Sequence, residues 1–298
     1  MPDSTRADLL TAIVPPEAGR KPRDDELDLF GLTHPGNVRQ ENQDHFLVAT
    51  VHHQVVIHGT SLPDPDKLPL RGERLATIAL VADGVGGGAA GREASQLAVE
   101  TIARYVSSTM LCFHGARTAA DREFHDALRA AALEAHAAVR AEGAGRSDMR
   151  TMATTLTLVV AVWPLLYVTQ VGDSRCYLFK DGRLHQVTRD QTVAQGLVER
   201  GALSPDHLAD SPFSHVLASS IGGSEAAPEV TRLDLNRGSV ALLCSDGLTA
   251  HVTNAEIEQQ VRVMESSEQV CRSLLALALE RGGSDNVTIL VGRARPSA

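Results

Sequence analysis

The 298-residue chain is 43% hydrophobic and 22% charged, proportions that exclude wholesale disorder, collagen-like repetition and a continuous coiled coil. Its 28 Lys and Arg against 37 Asp and Glu give a formal charge of −9, and no basic cluster offsets it, so nucleic acid is excluded as a primary partner. The longest apolar stretch, Leu156 to Val168, is interrupted by Pro164 and falls short of the ~20 residues a spanning helix needs, which excludes membrane insertion.

In chain order, residues 1–26 combine Pro15, Pro16 and Pro22 with charge and hold no periodicity, so they read as a mobile leader. Asp3 and Asp8 stand where a signal peptide needs a basic start, so export is not expected. One domain is expected over 27–298. It begins with strands at Asp28–Thr33, Asp44–Val51 and Leu75–Ala82, the last two separated by a surface loop around Ser61–Gly72. Alanines and leucines at helical spacing predict two antiparallel helices over Gly91–Met110 and Asp121–Glu142.

A meander follows, with strands at Ala153–Ala161, Leu165–Gly172, Arg175–Lys180 and Arg183–Thr188, the last pair joined by the turn Asp181-Gly182. A polar helix over Thr192–Arg200 and a Pro/Ser/His-rich stretch read together as a flap over 192–218. Strands Glu229–Leu235 and Ser239–Cys244, helices Asn254–Val263 and Ser267–Arg281, and a strand Asn286–Gly292 complete the chain. Runs of strands alternating with paired helices give an α+β class, with sheets stacked face to face and helices outside.

Four acidic signals place an Asp next to Gly or Asn where an apolar strand turns: Asp44, Asp83-Gly84, Asp246-Gly247 and Asp285-Asn286. One Asp-Gly alone is a turn. Four such carboxylates at strand ends form a candidate shared site, and their repulsion needs a counter-charge such as Mg²⁺ or Mn²⁺, which take oxygen ligands. The twelve histidines lack HxH or HxxxH spacing, and Cys112, Cys176, Cys244 and Cys271 form no CxxC pair, so zinc is not expected. Scattered thiols fit a reduced, cytoplasmic setting. A dinucleotide fingerprint at Gly84 to Ala89 is the rival reading, and it requires a parallel strand directly after the helix.

The runs Thr33-His34-Pro35-Gly36-Asn37-Val38-Arg39-Gln40-Glu41-Asn42-Gln43-Asp44, Asp83-Gly84-Val85-Gly86-Gly87, Met152-Ala153-Thr154-Thr155, Val171-Gly172-Asp173-Ser174-Arg175, Ser245-Asp246-Gly247-Leu248 and Ser284-Asp285-Asn286 occur in a telling order. It is the order of the metal-dependent protein phosphatases of the PP2C type, and the chain closely resembles the bacterial members from Leu29 to Val291. The resemblance implies a four-layer α-β-β-α sandwich with two central antiparallel sheets and a pair of Mn²⁺ or Mg²⁺ ions. Asp83 would bridge the ions, Gly84 would bind through its carbonyl, Asp246 and Asp285 would complete the set, and Arg39 would grip the phosphate.

The implied activity is that of a serine/threonine phosphoprotein phosphatase, hydrolysing phosphomonoesters with metal-activated water and no phosphoenzyme. Phosphorylated proteins would be its substrates and a cognate Ser/Thr kinase its partner. The alternative is a catalytically weak phosphoprotein-binding or sensor module on the same fold, against which the intact acidic set argues. Some positions depart from the family pattern. Gln43 replaces a metal-associated Glu of animal members, and Val85 replaces a His that protonates the leaving group there. Arg150 stands where bacterial relatives place a third-metal Asp, leaving Asp148 as the candidate ligand for a third ion. Asp44 and Gln43 are expected just behind the ligands, Asp173 and Arg175 as an ion pair with no catalytic role, and the flap as a tuner of substrate access.

Overall fold

Strand β3 (Arg71–Val85) buries both of its faces: Leu75 and Val81 point one way, and Ala76, Ile78 and Leu80 the other. A strand covered on two sides must lie between layers, and this one does. The computed structural model describes residues 19–54, 57, 64, 70–86, 89–109, 120–144, 146, 152–208 and 210–295. In it β3 runs antiparallel between β2 (Asp44–Gln54) and β5 (Leu156–Val162), followed outward by β6 (Leu165–Val171) and β9 (Glu229–Asp234). The short β4 (Ala153–Thr154) pairs with the end of β3.

The second sheet runs β1 (Leu27–His34), β11 (Val287–Ala294), β10 (Val240–Cys244), β7 (Arg175–Lys180) and β8 (Arg183–Gln186), again antiparallel throughout. Antiparallel partners on both sides of β3 dispose of the dinucleotide-binding reading, which needs a parallel sheet.

Two helices cover the first sheet, α1 (Ala89–Thr109) and α2 (Ala120–Ala144). Ala90, Ala94, Ala98, Ile102 and Val106 on α1 recur every four residues and meet Phe124, Leu128, Ala135 and Val139 of α2 over Ile78 and Leu80. On the other side α4 (Asp246–Thr249), α5 (Asn254–Arg262) and α6 (Ser267–Glu280) cover the second sheet through Leu248, Ile257, Val261, Val270 and Leu274. Between the sheets lie Phe46, Val81, Val159, Leu243 and Leu290. The four layers are helix, sheet, sheet, helix, as the resemblance implies.

The expected elements are present, with informative shifts. Asp181 and Gly182 both take positive φ, 53° and 80°, as a two-residue hairpin turn between β7 and β8 requires. Thr188, expected within a strand, instead accepts the Cys176 backbone N–H through Oγ1, so β8 stops at Gln186. The polar helix of the flap is α3 (Val193–Glu199), capped by Thr192. The helix α4 was not expected, because Asp246-Gly247 reads as a turn; Ser245 caps it in extended conformation.

Residues 19–26, expected as part of a mobile leader, are seated on the domain. Arg74 is only 6% exposed, and it donates to Asp24 at 2.6 Å and to the Pro22 carbonyl at 2.7 Å. A buried guanidinium needs acceptors, and this segment supplies them. Residues 1–18 lie outside the described residues, as does most of the loop expected around Ser61–Gly72.

Candidate active site

The pairing of β2 with β3 sets Asp44 directly opposite Asp83. The backbone of Asp83 is clamped by the Thr154-Thr155 motif. Its N–H donates to Thr155 Oγ1 at 3.0 Å, and its carbonyl accepts from the Thr155 N–H at 2.9 Å and from Thr154 Oγ1 at 2.8 Å. The motif carries no metal-ligating group; it fixes the orientation of a residue that does. Gly172, at φ +101°, allows this arrangement, since a Cβ there would stand 2.7 Å from the Thr155 side chain.

Asp83 and Gly84 fall inside β3 rather than after it, because the strand bends on to meet β4. Gly84 is enclosed by backbone: a Cβ would lie 2.2 Å from the Gly91 carbonyl oxygen and 2.7 Å from that of Gln43. No other residue fits there. Ser95 of α1 donates to the same Gln43 carbonyl and pins the helix to β2.

Asp246 and Asp285 arrive from the second sheet. Asp246 opens α4 at the end of β10, and Asp285 precedes β11. Asn286 fastens Asp285 to the loop that carries Arg39. Its Oδ1 accepts the Gln43 N–H at 2.8 Å, and its Nδ2 donates to the Pro35 and Glu41 carbonyls, each at 3.0 Å. Arg39 Nη2 donates to Asp285 Oδ2 at 2.7 Å. Asn286 has no role assigned from its motif alone; its signal is a polar residue directly before the apolar run that opens β11.

These carboxylates perturb one another strongly. Asp83 is pushed well above the usual carboxylate range by burial and by the charges of Asp44, Asp246, Asp173 and Asp285. Asp246 is raised by burial and Asp285, against the pull of its hydrogen bond with Asp83 and the charges of His215 and Arg39. Asp44 is raised to about 6 by burial, although Thr288 and Ser245 donate to its Oδ2 at 2.7 and 2.8 Å.

Asp173 was expected to pair with Arg175, and the structure corrects this. The guanidinium of Arg175 forks onto Asp190, with Nη2 at 2.7 Å and Nε at 2.9 Å. Asp173 is buried and raised to about 8 by burial and by the charges of Asp246 and Asp190. It is a fifth carboxylate of the cluster. Asp148 and Arg150, and with them the third-metal question, lie outside the described residues.

The donor set fits hard divalent ions. All its groups are oxygens: carboxylates plus the Gly84 carbonyl. Asp44 Oδ1 is buried without a hydrogen-bond partner, and among the described residues Arg39 brings positive charge to the cluster through its contact with Asp285. Among the described residues no three Asp, Glu, His or Cys side chains are placed so that together they could hold a metal ion, so water would have to supply much of the coordination, as Mg²⁺ ordinarily allows.

A helix-sheet-sheet-helix sandwich with an oxygen-rich acidic cleft between the two sheets is the architecture of a metal-dependent hydrolase. The family model described as Protein phosphatase 2C matches residues 59–280, and the chain belongs to that family. The serine/threonine protein phosphatase PstP of Mycobacterium tuberculosis is 34% identical over 220 residues, 72% of this chain, but the match spans only 40% of PstP. The serine/threonine phosphatase Stp of Listeria innocua is 27% identical over 87% of this chain and 92% of its own length. Among solved structures, the M. tuberculosis PstP domain superposes with a TM-score of 0.73 at 28% identity, covering 91% of this chain and 99% of that one. A structure of the PstP catalytic domain in complex with two manganese ions gives a TM-score of 0.70 at 28% identity, over 91% of this chain and 99% of that one.

Proposed function

We propose that the chain is a metal-dependent serine/threonine phosphoprotein phosphatase. The observation that carries this reading is the meeting of Asp83, Gly84, Asp246 and Asp285 from both sheets, with Arg39 held at the edge of the cluster. Asp83, Asp246 and Asp285, with the Gly84 carbonyl, would hold the Mn²⁺ or Mg²⁺ ions. When bound, such ions would lower the pKa of a water nucleophile and neutralise charge on the phosphoryl group.

The protein's own residues do the rest. Thr154 and Thr155 hold Asp83 in place, so the site does not reorganise as charge develops. Arg39 is 58% exposed and hangs on a single carboxylate. It is free to exchange Asp285 for the oxygens of an incoming phosphomonoester, which a guanidinium binds through two parallel hydrogen bonds. Val85, beside Gly84, has no proton to give, so the departing serine or threonine alkoxide takes its proton from water. The flap over 192–218 would tune access.

The substrates would be phosphorylated proteins, and a cognate Ser/Thr kinase would be the opposing partner. A cytoplasmic setting is supported by the free, buried Cys176, Cys244 and Cys271. No described helix is long and apolar enough to cross a membrane. The test is release of phosphate from p-nitrophenyl phosphate and from phosphothreonine peptides, with Mn²⁺ and with chelator, by the wild type and by Asp83→Asn and Asp246→Asn. Metal-dependent release lost in both variants is expected. No release from folded wild-type protein would favour the phosphoprotein-binding module instead.

A further inference from the structure

Asp246 and Asp285 stand on separate stretches of chain, and burial together with the charge of Asp285 pushes the Asp246 carboxyl up. Like charges brought together drive apart the segments that carry them unless the backbone is held. For Asp285 part of that hold comes from the Arg39 loop, where the Asn37 N–H donates to the Gly283 carbonyl at 2.7 Å. A hold towards the Asp246 side comes from His251.

Asp246 opens α4, and the chain leaves that single turn through Ala250, whose N–H donates to the Asp246 carbonyl at 2.8 Å. The next residue, His251, donates its N–H to the Leu248 carbonyl at 3.1 Å, so it is tied to the short helix that Asp246 begins. Its side chain reaches the other loop. Ring Nε2 lies 3.0 Å from the Ser284 backbone nitrogen and 2.9 Å from Ser284 Oγ. A backbone N–H can only donate, so Nε2 is the acceptor and the proton of the neutral ring sits on Nδ1. The Ser284 hydroxyl donates to the same nitrogen. The main chain of His251 is held from the same direction: Arg281 Nη1 donates to the His251 carbonyl at 2.8 Å, while the guanidinium forks onto Glu256 of α5. Carbonyl and ring of one residue thus grip residues 281 and 284, on either side of Gly282 and Gly283 at φ +123° and +50°, directly before Asp285.

We propose that His251 is a positioning residue for the metal centre: through Ser284 it holds the loop of Asp285 against the helix of Asp246. The inference rests on the metal-dependent reading given above. Carboxylates already held together need less rearrangement when an ion arrives, so the contribution of His251 falls on metal affinity and not on turnover once metal saturates.

Mn²⁺ is titrated into the full chain by calorimetry, and hydrolysis of p-nitrophenyl phosphate is followed at rising Mn²⁺. His251→Ala removes the ring, His251→Phe keeps a ring without the nitrogen, and His251→Gln returns an acceptor at the same number of bonds from the backbone. The alanine and phenylalanine variants should each bind Mn²⁺ about fivefold more weakly, the loss expected for one modest hydrogen-bonded link. Both should regain wild-type kcat at saturating Mn²⁺. The glutamine variant should bind within about twofold of wild type. A purely structural role would lower the unfolding midpoint in chelator and leave Mn²⁺ affinity alone. Wild-type affinity in folded His251→Ala or His251→Phe, or a glutamine variant as weak as alanine, would overturn the inference with the metal centre left standing. No Mn²⁺ binding by the wild type would overturn the metal-dependent reading itself, and this inference with it.

Discussion

Asp44 and Asp83 face each other across the β2–β3 pair, yet only one oxygen of Asp44 is used: Oδ2 takes hydrogen bonds from Ser245 and Thr288, and Oδ1 takes none. A buried like-charge pair of this kind costs stability unless positive charge lies nearby. Asp44→Asn keeps an acceptor for both hydroxyls and removes one charge. In chelator it should stabilise the protein by on the order of 2 kcal/mol, and it should weaken Mn²⁺ binding. Denaturant unfolding and a Mn²⁺ titration check the two signs, and a destabilised metal-free variant would contradict them.

The clamp on Asp83 gives a second expectation. Thr155→Val preserves shape but leaves the Asp83 N–H without its acceptor, a loss of about 1–3 kcal/mol when the group is buried. Phosphatase turnover should fall while the fold persists, and Thr155→Ser should restore most of it. Equal turnover in the valine and serine variants would show that the hydroxyl plays no part.

Arg39 gives a third. Its pair with Asp285 is largely exposed, so Arg39→Ala should change stability by less than about 1 kcal/mol. Its effect should fall on substrate, as a raised KM for p-nitrophenyl phosphate. Arg39→Lys should recover only part, because an ammonium cannot fork onto two oxygens. An unchanged KM in the alanine variant would remove Arg39 from phosphate binding.

Glu26 is one contributor to the acid limb of stability. Hydrogen bonds from Arg20, Arg23 and Arg237 hold its pKa at about 2, against 4.5 for a free glutamate. A depressed folded pKa means the stabilisation is complete above 4.5 and disappears as pH falls through about 2. Glu26→Gln should therefore be less stable than wild type at neutral pH, with the gap between the two narrowing from pH 4.5 downwards. Thermal unfolding across that range tests this, and a gap that widens on acidification would refute it.

The strands and most helices were legible because their signals are local: the apolar run of β3, the Asp181-Gly182 turn, the four-residue recurrence of alanine and isoleucine on α1. The expectation for Asp83, Asp246 and Asp285 as metal-site residues came from acidic residues standing where apolar runs turn, two of them beside a glycine. What escaped was determined across the fold. Asp173 and Arg175 are two apart, and sequence proximity suggested a pair, but the turn sends Asp173 into the acidic cluster while β7 aims Arg175 at Asp190, fifteen positions away. The roles of Thr155 and Asn286 depend on contacts with β3 and with the Arg39 loop that no spacing in the chain announces. Helix α4 was hidden by its Asp-Gly start, and the seat of residues 19–26 by the distance to Arg74.

The most direct measurement is anomalous diffraction at the manganese edge from crystals of the full chain soaked in Mn²⁺. Two peaks sharing Asp83, one next to the Gly84 carbonyl and the other reached by Asp246 and Asp285, are the predicted result. Manganese bound elsewhere, with Asp83 touching no ion, would contradict the account.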